Sequence, residues 1–199
     1  LDIGTAFGGM GSSREMTISS LAEPAMLMAV FTLTMTASTT NLSGAIEHVL
    51  QEGLILRPSF VFALFALILV AIAETGRIPV DNPTTHLELT MIHEAMVLEY
   101  SGRHLALIEW ASALKLMLYG VLISNIFFPW GIAESFTLSA LGYGLLSILG
   151  KLIFLCIFLA LAETAVAKMR LFRVQEYLGF AYLLGVLGML SHIILESTR

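Results

Sequence analysis

Residues Leu138 to Ala162 read LSALGYGLLSILGKLIFLCIFLALA. These 25 residues carry one charge, Lys151. As an α-helix they would be about 37 Å long at 1.5 Å per residue, enough to cross a hydrocarbon core about 30 Å thick. In lipid the backbone must satisfy its own hydrogen bonds, and a helix does this within one segment. The stretch is a transmembrane span, and the rest of the chain resembles it in kind. Of 199 residues 57% are hydrophobic and 13% charged, where a soluble domain carries roughly a quarter charged. Mean hydropathy is +0.88. A soluble globular enzyme is excluded.

Four more apolar blocks lie around it: Thr17 to Ser38, Ser59 to Ala73, Leu105 to Pro129 and Tyr177 to Leu195. The expected fold is all-α, a polytopic transmembrane bundle of five spans (17–38, 59–73, 105–129, 138–162, 177–195) plus one interfacial helix. Residues 1–199 form one integral-membrane domain. The span 59–73 is short and is expected to draw on its flanks. No internal repeat, low-complexity tract or linker interrupts the chain. Gly8, Gly9 and Gly11 lack the strand and spacing of a dinucleotide site and read as a flexible entry to the first helix.

With alternating spans, Arg14, Arg77, Arg103, Lys168, Arg170 and Arg173 fall on one side, and Arg57 and Arg199 on the other. Positive residues mark the cytoplasmic side, so the loop 74–104 is expected there. Phe127, Phe128 and Trp130 then belong to the outer aromatic belt.

That loop reads ETGRIPVDNPTTHLELTMIHEAMVLEYSGRH. Pro79 and Pro83 bias Ile78 and Asn82 toward extended backbone, giving a rigid turn. Thr84 or Thr85 can then cap a helix with Glu88 in its first turn, expected to stop at Ser101–Gly102. On it Glu88 and Glu99 lie about 20° apart, while His86 and His93 share another face. The segment is too polar to span and fits an interface or a partner subunit.

Ionisable residues inside spans are costly and mark pathways or structural pairs. Glu23, Glu109, Lys115 and Lys151 are of this kind. His93-Glu94 begins an HExxH pattern, but position 97 is Val, and His86 lies two turns away, so one zinc cannot join both histidines. The single cysteine, Cys156, cannot form an internal disulfide or hold an iron–sulfur cluster. The net charge of −5, with no basic patch, speaks against nucleic acid. No signal-peptide pattern and no nucleophile triad is visible.

Two motifs carry a family resemblance. One is Glu74-Thr-Gly-Arg77-Ile-Pro79-Val-Asp81-Asn-Pro83, followed by Glu88-Leu89 and Glu99-Tyr100-Ser101-Gly102. The other is Gly11-Ser-Ser-Arg14 with Glu23 nine residues on. Together they resemble the family of subunit 1 (the H subunit) of respiratory complex I, shared with membrane-bound group 4 nickel–iron hydrogenases. The form THLELTMIHEAMVLEYSG is similar to the hydrogenase branch, that of formate hydrogenlyase subunit 4. Full-length members have further spans upstream, so an N-terminal portion is expected to be missing.

The resemblance implies a non-catalytic membrane-anchor and coupling subunit in the prokaryotic inner membrane. It implies that Glu23, Glu74, Asp81, Glu88, Glu99, Glu109, Lys115 and Lys151 belong to a proton or sodium path. Composition alone reads the loop acids as a solvated face. Arg14, Arg77, Asp81, His86, His93 and Arg103 are expected in the docking loop, with Arg77 and Asp81 paired across the turn. Implied partners are nickel–iron hydrogenase large and small subunits, iron–sulfur subunits and antiporter-like membrane subunits. The nickel–iron centre and iron–sulfur clusters sit on those partners, and no metal or other cofactor is bound by this chain. The alternative is a quinone-binding subunit of a complex I-like NADH:quinone oxidoreductase. A stand-alone transporter would need inverted repeats, which the chain lacks.

Overall fold

A computed structural model describes residues 5–52, 57–77, 80–81, 92–133, 137–165 and 171–196. These are helical with short turns and contain no strand. The elements are α1 (Ala6–Ala37), α2 (Leu42–Glu52), α3 (Pro58–Glu74), α4 (His93–Val97), α5 (Gly102–Phe127), α6 (Leu138–Ala165) and α7 (Leu171–Ser191). A π-helical turn, His192–Glu196, ends α7. Among the described residues four helices are long and apolar enough to cross a membrane: α1, α5, α6 and α7. α3 is equally apolar but has 17 residues, about 26 Å of helix.

The bundle is built on α1, α3 and α7. Lipid offers helices no hydrophobic reason to associate, so small residues that let backbones approach decide which faces meet. α1 presents Ala22, Ala25, Ala29 and Thr32, all fully buried; α3 presents Ser59, Ala63 and Ala66; α7 presents Ala181. On α7, a Cβ added at Gly185 would stand 2.9 Å from the Met28 Cβ, and one at Gly188 would stand 3.2 Å from the Ser59 carbonyl. The Thr32 hydroxyl bonds the Met28 carbonyl at 2.9 Å and lies 3.3 Å from that of Gly185. At the opposite end Ile18 and Ala22 of α1 pack with Val70 and Ala73 of α3 and with Val174 and Leu178 of α7. α1 and α7 therefore run parallel, with α3 antiparallel to both.

α5 joins through Ile123, Ile126 and Phe127, which pack on Ala63, Ala66 and Leu67 of α3. The Phe60 and Phe127 rings meet at 4.8 Å, tilted by 58°. α6 runs back along α5, with Gly120 facing Leu152 and the Ser147 hydroxyl donating to the Trp130 carbonyl. The loop-side ends of all five long helices thus share one end of the bundle.

Several expectations are corrected. The first helix extends upstream of the expected span to Ala6: the Thr5 hydroxyl caps it by accepting the Gly8 N–H at 3.2 Å, so the glycines are helical rather than a flexible entry. α2 was unforeseen, because its polar residues hide an amphipathic stripe. The loop helix, expected to run to Ser101–Gly102, ends at Val97 in its described part, and Gly102 instead opens α5. Phe127 is a core residue, whereas Phe128 and Trp130 are exposed.

The α1–α7 seam should reject bulk. Gly185→Val is expected to destabilise the bundle by about 1–3 kcal/mol, the usual cost of overpacking. Gly179→Ala, where an added Cβ meets nothing within 4 Å, should be neutral or slightly stabilising. Unfolding titrations in mixed micelles would separate the two.

Candidate functional site at the polar end of the bundle

The end of α3 explains the Glu-Thr-Gly-Arg run. Gly76 takes φ +61°. Its N–H bonds the Ala73 carbonyl and the Arg77 N–H bonds the Ile72 carbonyl, each at 3.2 Å. This is a Schellman cap, which satisfies carbonyls the helix end would orphan and needs a left-handed residue where glycine stands. The Arg77 carbonyl then accepts the N–H groups of Val80 and Asp81, at 2.8 and 3.2 Å, and the chain turns back onto the bundle. Val80 drops into the apolar cluster of Ile18, Ala22, Val70 and Leu178.

Asp81 is 1% exposed. Its Oδ2 accepts the Ile92 N–H at 3.1 Å and the His93 N–H at 2.8 Å. A carboxylate at a helix N-terminus satisfies orphan donors and meets the positive end of the helix dipole. Asp81 thus caps α4 from eleven residues upstream, and Ile92 enters the same cluster as Val80. The two edges of segment 82–91 are pinned together.

α4 lies against the start of α1. A Cβ at Gly11 would stand 2.8 Å from the Ala95 Cβ, and one at Gly8 would stand 2.9 Å from the Glu99 Cγ. The His93 Nδ1 is 3.7 Å from Glu15 Oε1. Glu99 is therefore placed at this end beside Gly8, and Glu15, His93 and Asp81 form a contiguous polar group.

Two ion pairs extend the site. Lys115 of α5 reaches Glu74 at 2.5 Å, with the Glu74 side chain only 11% exposed. Arg77 reaches Glu163 of α6 at 3.7 Å. The guanidinium therefore bridges to α6 rather than pairing with Asp81 as the spacing suggested. That second pair is open to solvent and worth at most about 1 kcal/mol. The first is the more enclosed on its acid side, with Lys115 half-buried.

The remaining candidates fall elsewhere. Glu23, eighteenth of α1's 32 residues, is exposed on the bundle exterior, as are Glu109 and Arg103 of α5. Arg14 is half-buried, with Nη2 3.4 Å from Met10 Sδ. Lys151 lines an apolar cavity between α3, α5 and α6. His86 and Glu88 lie outside the described residues, as does the Glu94 side chain. Glu15 and Glu163 were missed. Glu15 stood beside the motif Arg14 with nothing to single it out, and Glu163 fell one residue past the expected end of its span. Among the described residues no group of three or more His, Cys, Asp or Glu could hold a metal ion. The arrangement gathers carboxylates, a histidine, an arginine and one lysine at one end of the bundle.

The model of the NADH dehydrogenase family matches residues 1–195. Hydrogenase-4 component C of Escherichia coli is 32% identical over 183 residues, covering 91% of this chain and 57% of that protein. Formate hydrogenlyase subunit 4 of the same organism is 31% identical over 171 residues, covering 86% of this chain and 55% of that protein. The chain spans just over half the length of these relatives.

Removing the Asp81 carboxylate should free the start of α4. In Asp81→Ala, amide exchange at Ile92 and His93 is expected to rise by about tenfold or more, since hydrogen bonds to a charged acceptor contribute about 1.5–3 kcal/mol. Asp81→Asn keeps an acceptor and should fall between. Hydrogen–deuterium exchange read at those two amides decides the matter; unchanged protection in Asp81→Ala would show that the cap is dispensable.

Proposed function

The chain belongs to the NADH dehydrogenase family, and from that premise we propose that it is the membrane-anchor and coupling subunit of an energy-converting nickel–iron hydrogenase complex of the formate hydrogenlyase type. Redox turnover on docked peripheral subunits changes protonation at the loop acids, and ionisable residues within the spans pass that change on as proton or sodium movement. The nickel–iron centre and iron–sulfur clusters belong to the large, small and iron–sulfur partner subunits, and antiporter-like subunits lie alongside in the membrane. The complex sits in the prokaryotic inner membrane. α3 counts as a fifth span, and the loop 74–104 faces the cytoplasm.

The observation that carries the reading is the Glu74–Lys115 pair. Glu74 ends α3 at the polar face, while Lys115 lies 13 residues inside α5. A protonation change at Glu74 therefore has a charged neighbour on an adjacent helix. Asp81, His93, Glu15 and Glu99 surround the entrance. The relatives' names favour the hydrogenase reading over the quinone-binding one: one is a hydrogenase component and the other a formate hydrogenlyase subunit.

Glu74→Gln and Glu23→Gln are to be tested in the full-length subunit within the purified complex, reconstituted in vesicles. Hydrogen evolution should continue while the ion gradient falls to background. A full gradient with full activity in either variant removes that residue from the path. For orientation, an impermeant thiol reagent should label a cysteine placed at Arg103, in a Cys156→Ser background, only from the cytoplasmic side. Labelling from the outside would invert the assignment.

A further inference from the structure

Three contacts seat α4 and the turn after it on the start of α1, and they fall in order. Gly8, Gly11 and Glu15 stand three and four residues apart, on one face of α1. They meet Glu99, Ala95 and His93 in turn. Numbers rise along α1 as they fall along its neighbour, so the two segments run antiparallel. Shape fixes the first two contacts: a Cβ added at Gly8 or Gly11 would stand 2.9 Å from the Glu99 Cγ or 2.8 Å from the Ala95 Cβ. The third contact is His93 Nδ1 to Glu15 Oε1 at 3.7 Å, with the side chains 27% and 28% exposed. Its strength depends on a proton.

His93 is also where three elements meet. Its N–H donates to Asp81 Oδ2 at 2.8 Å. Its Cβ lies 3.4 Å from where a Cβ on Gly76 would stand, at the end of α3. Its ring reaches α1. Two carboxylates thus stand at His93, Glu15 by the ring and Asp81 by the amide. The other charged groups at this end are directed elsewhere. Arg77 reaches Glu163, and Arg14 places Nη2 3.4 Å from Met10 Sδ. Glu99 lies beside Gly8, and Arg103 and His104 are exposed at the start of α5. A histidine changes charge around pH 6.5, and an opposite charge within about 4–6 Å favours its protonated form.

We propose that His93 and Glu15 form a proton-operated clasp: a proton taken up by His93 tightens α4 on the start of α1, and its loss leaves the remaining contacts to hold α4. A histidine that gains an opposite charge on docking holds its proton more tightly docked than undocked. The added stability is therefore full below about pH 6.5 and is lost as the pH rises through the docked value. A capping carboxylate acts with the opposite sign. Asp81 holds α4 through its charge, so its protonation would loosen the contact. The direction of the pH response thus separates His93 from Asp81. The clasp goes beyond the functional reading above and stands without it. Only its use, to report proton availability beside Glu74 and Asp81, rests on that reading.

The test is hydrogen–deuterium exchange of the full-length subunit in the purified complex, on either side of the histidine range at about pH 5.5 and about pH 8.5, with exchange times corrected for the intrinsic chemical rate. It is read at the Glu99 and Tyr100 amides, which bond the Met96 and Val97 carbonyls at 3.2 and 3.1 Å. Protection should be about twofold to fivefold higher at the lower pH, the range of a partly exposed ion pair. His93→Gln and Glu15→Gln should each abolish that difference. The double variant should lose no more than either one, a non-additivity that separate structural roles would not produce. His93→Lys keeps a charge and should hold the higher protection at both pH values. Neither side chain is buried, so these variants leave the apolar clusters intact. No pH difference in the unmodified protein, a difference of opposite sign, or one that survives either Gln variant would each overturn the proposal. The expected response in a complex that moves no ions would overturn the functional reading and leave the clasp standing. A flat response in an active, ion-pumping hydrogenase would do the reverse.

Discussion

Close approach of three backbones, those of α1, α3 and α7, sets the position of everything else. Alanines, serine, threonine and glycine line the seam where the helices approach most closely. In a bilayer this is what holds helices together, since apolar side chains gain little by leaving lipid for protein. With the seam in place, the loop-side ends of the three helices form one apolar cup of Ile18, Val70, Val174 and Leu178. Val80 and Ile92 fill that cup. A shift of α3 along α1 would empty it.

The polar end illustrates how a mostly apolar chain deploys its few charges. Asp81 is nearly inaccessible because it completes a helix terminus, where two amides and a dipole offset the loss of water. Glu74 is almost as enclosed, and Lys115 comes to it from a neighbouring helix. Arg77 and Glu163, nearer solvent, join α3 to α6 loosely. Burial and pairing rise together from the surface inward, as the desolvation of charge requires. Lys151 departs from that pattern: no Asp or Glu among the described residues pairs with it.

Much of this was legible in the residues. Long apolar blocks with hardly any charge marked the helices long and apolar enough to cross a membrane, and the polar stretch from Glu74 to His104 stood out by contrast. The reach of α1 to Ala6 was not legible, because glycines near a helix start read as flexible unless the surface they pack against is known. Here that surface is Ala95 and Glu99, more than eighty residues away. α2 escaped because its apolar stripe is short and mixed with polar residues. Arg77 and Asp81, four apart, looked like a pair. The fold sent Arg77 to α6 and Asp81 to the next helix, since each found a better partner outside its own turn.

The sequence by itself determined the solvent, the kind of element and the place where charge gathers. Each follows from composition and period, which act locally: a bilayer admits only segments that close their own hydrogen bonds. It also carried the motifs by which the family is recognised. Tertiary structure alone decided which small-residue faces meet, which acid answers which base, and that Asp81 serves as a cap. Those outcomes depend on distances of a few ångströms between residues far apart in the chain. Spacing along a sequence does not encode such distances until the backbones have packed.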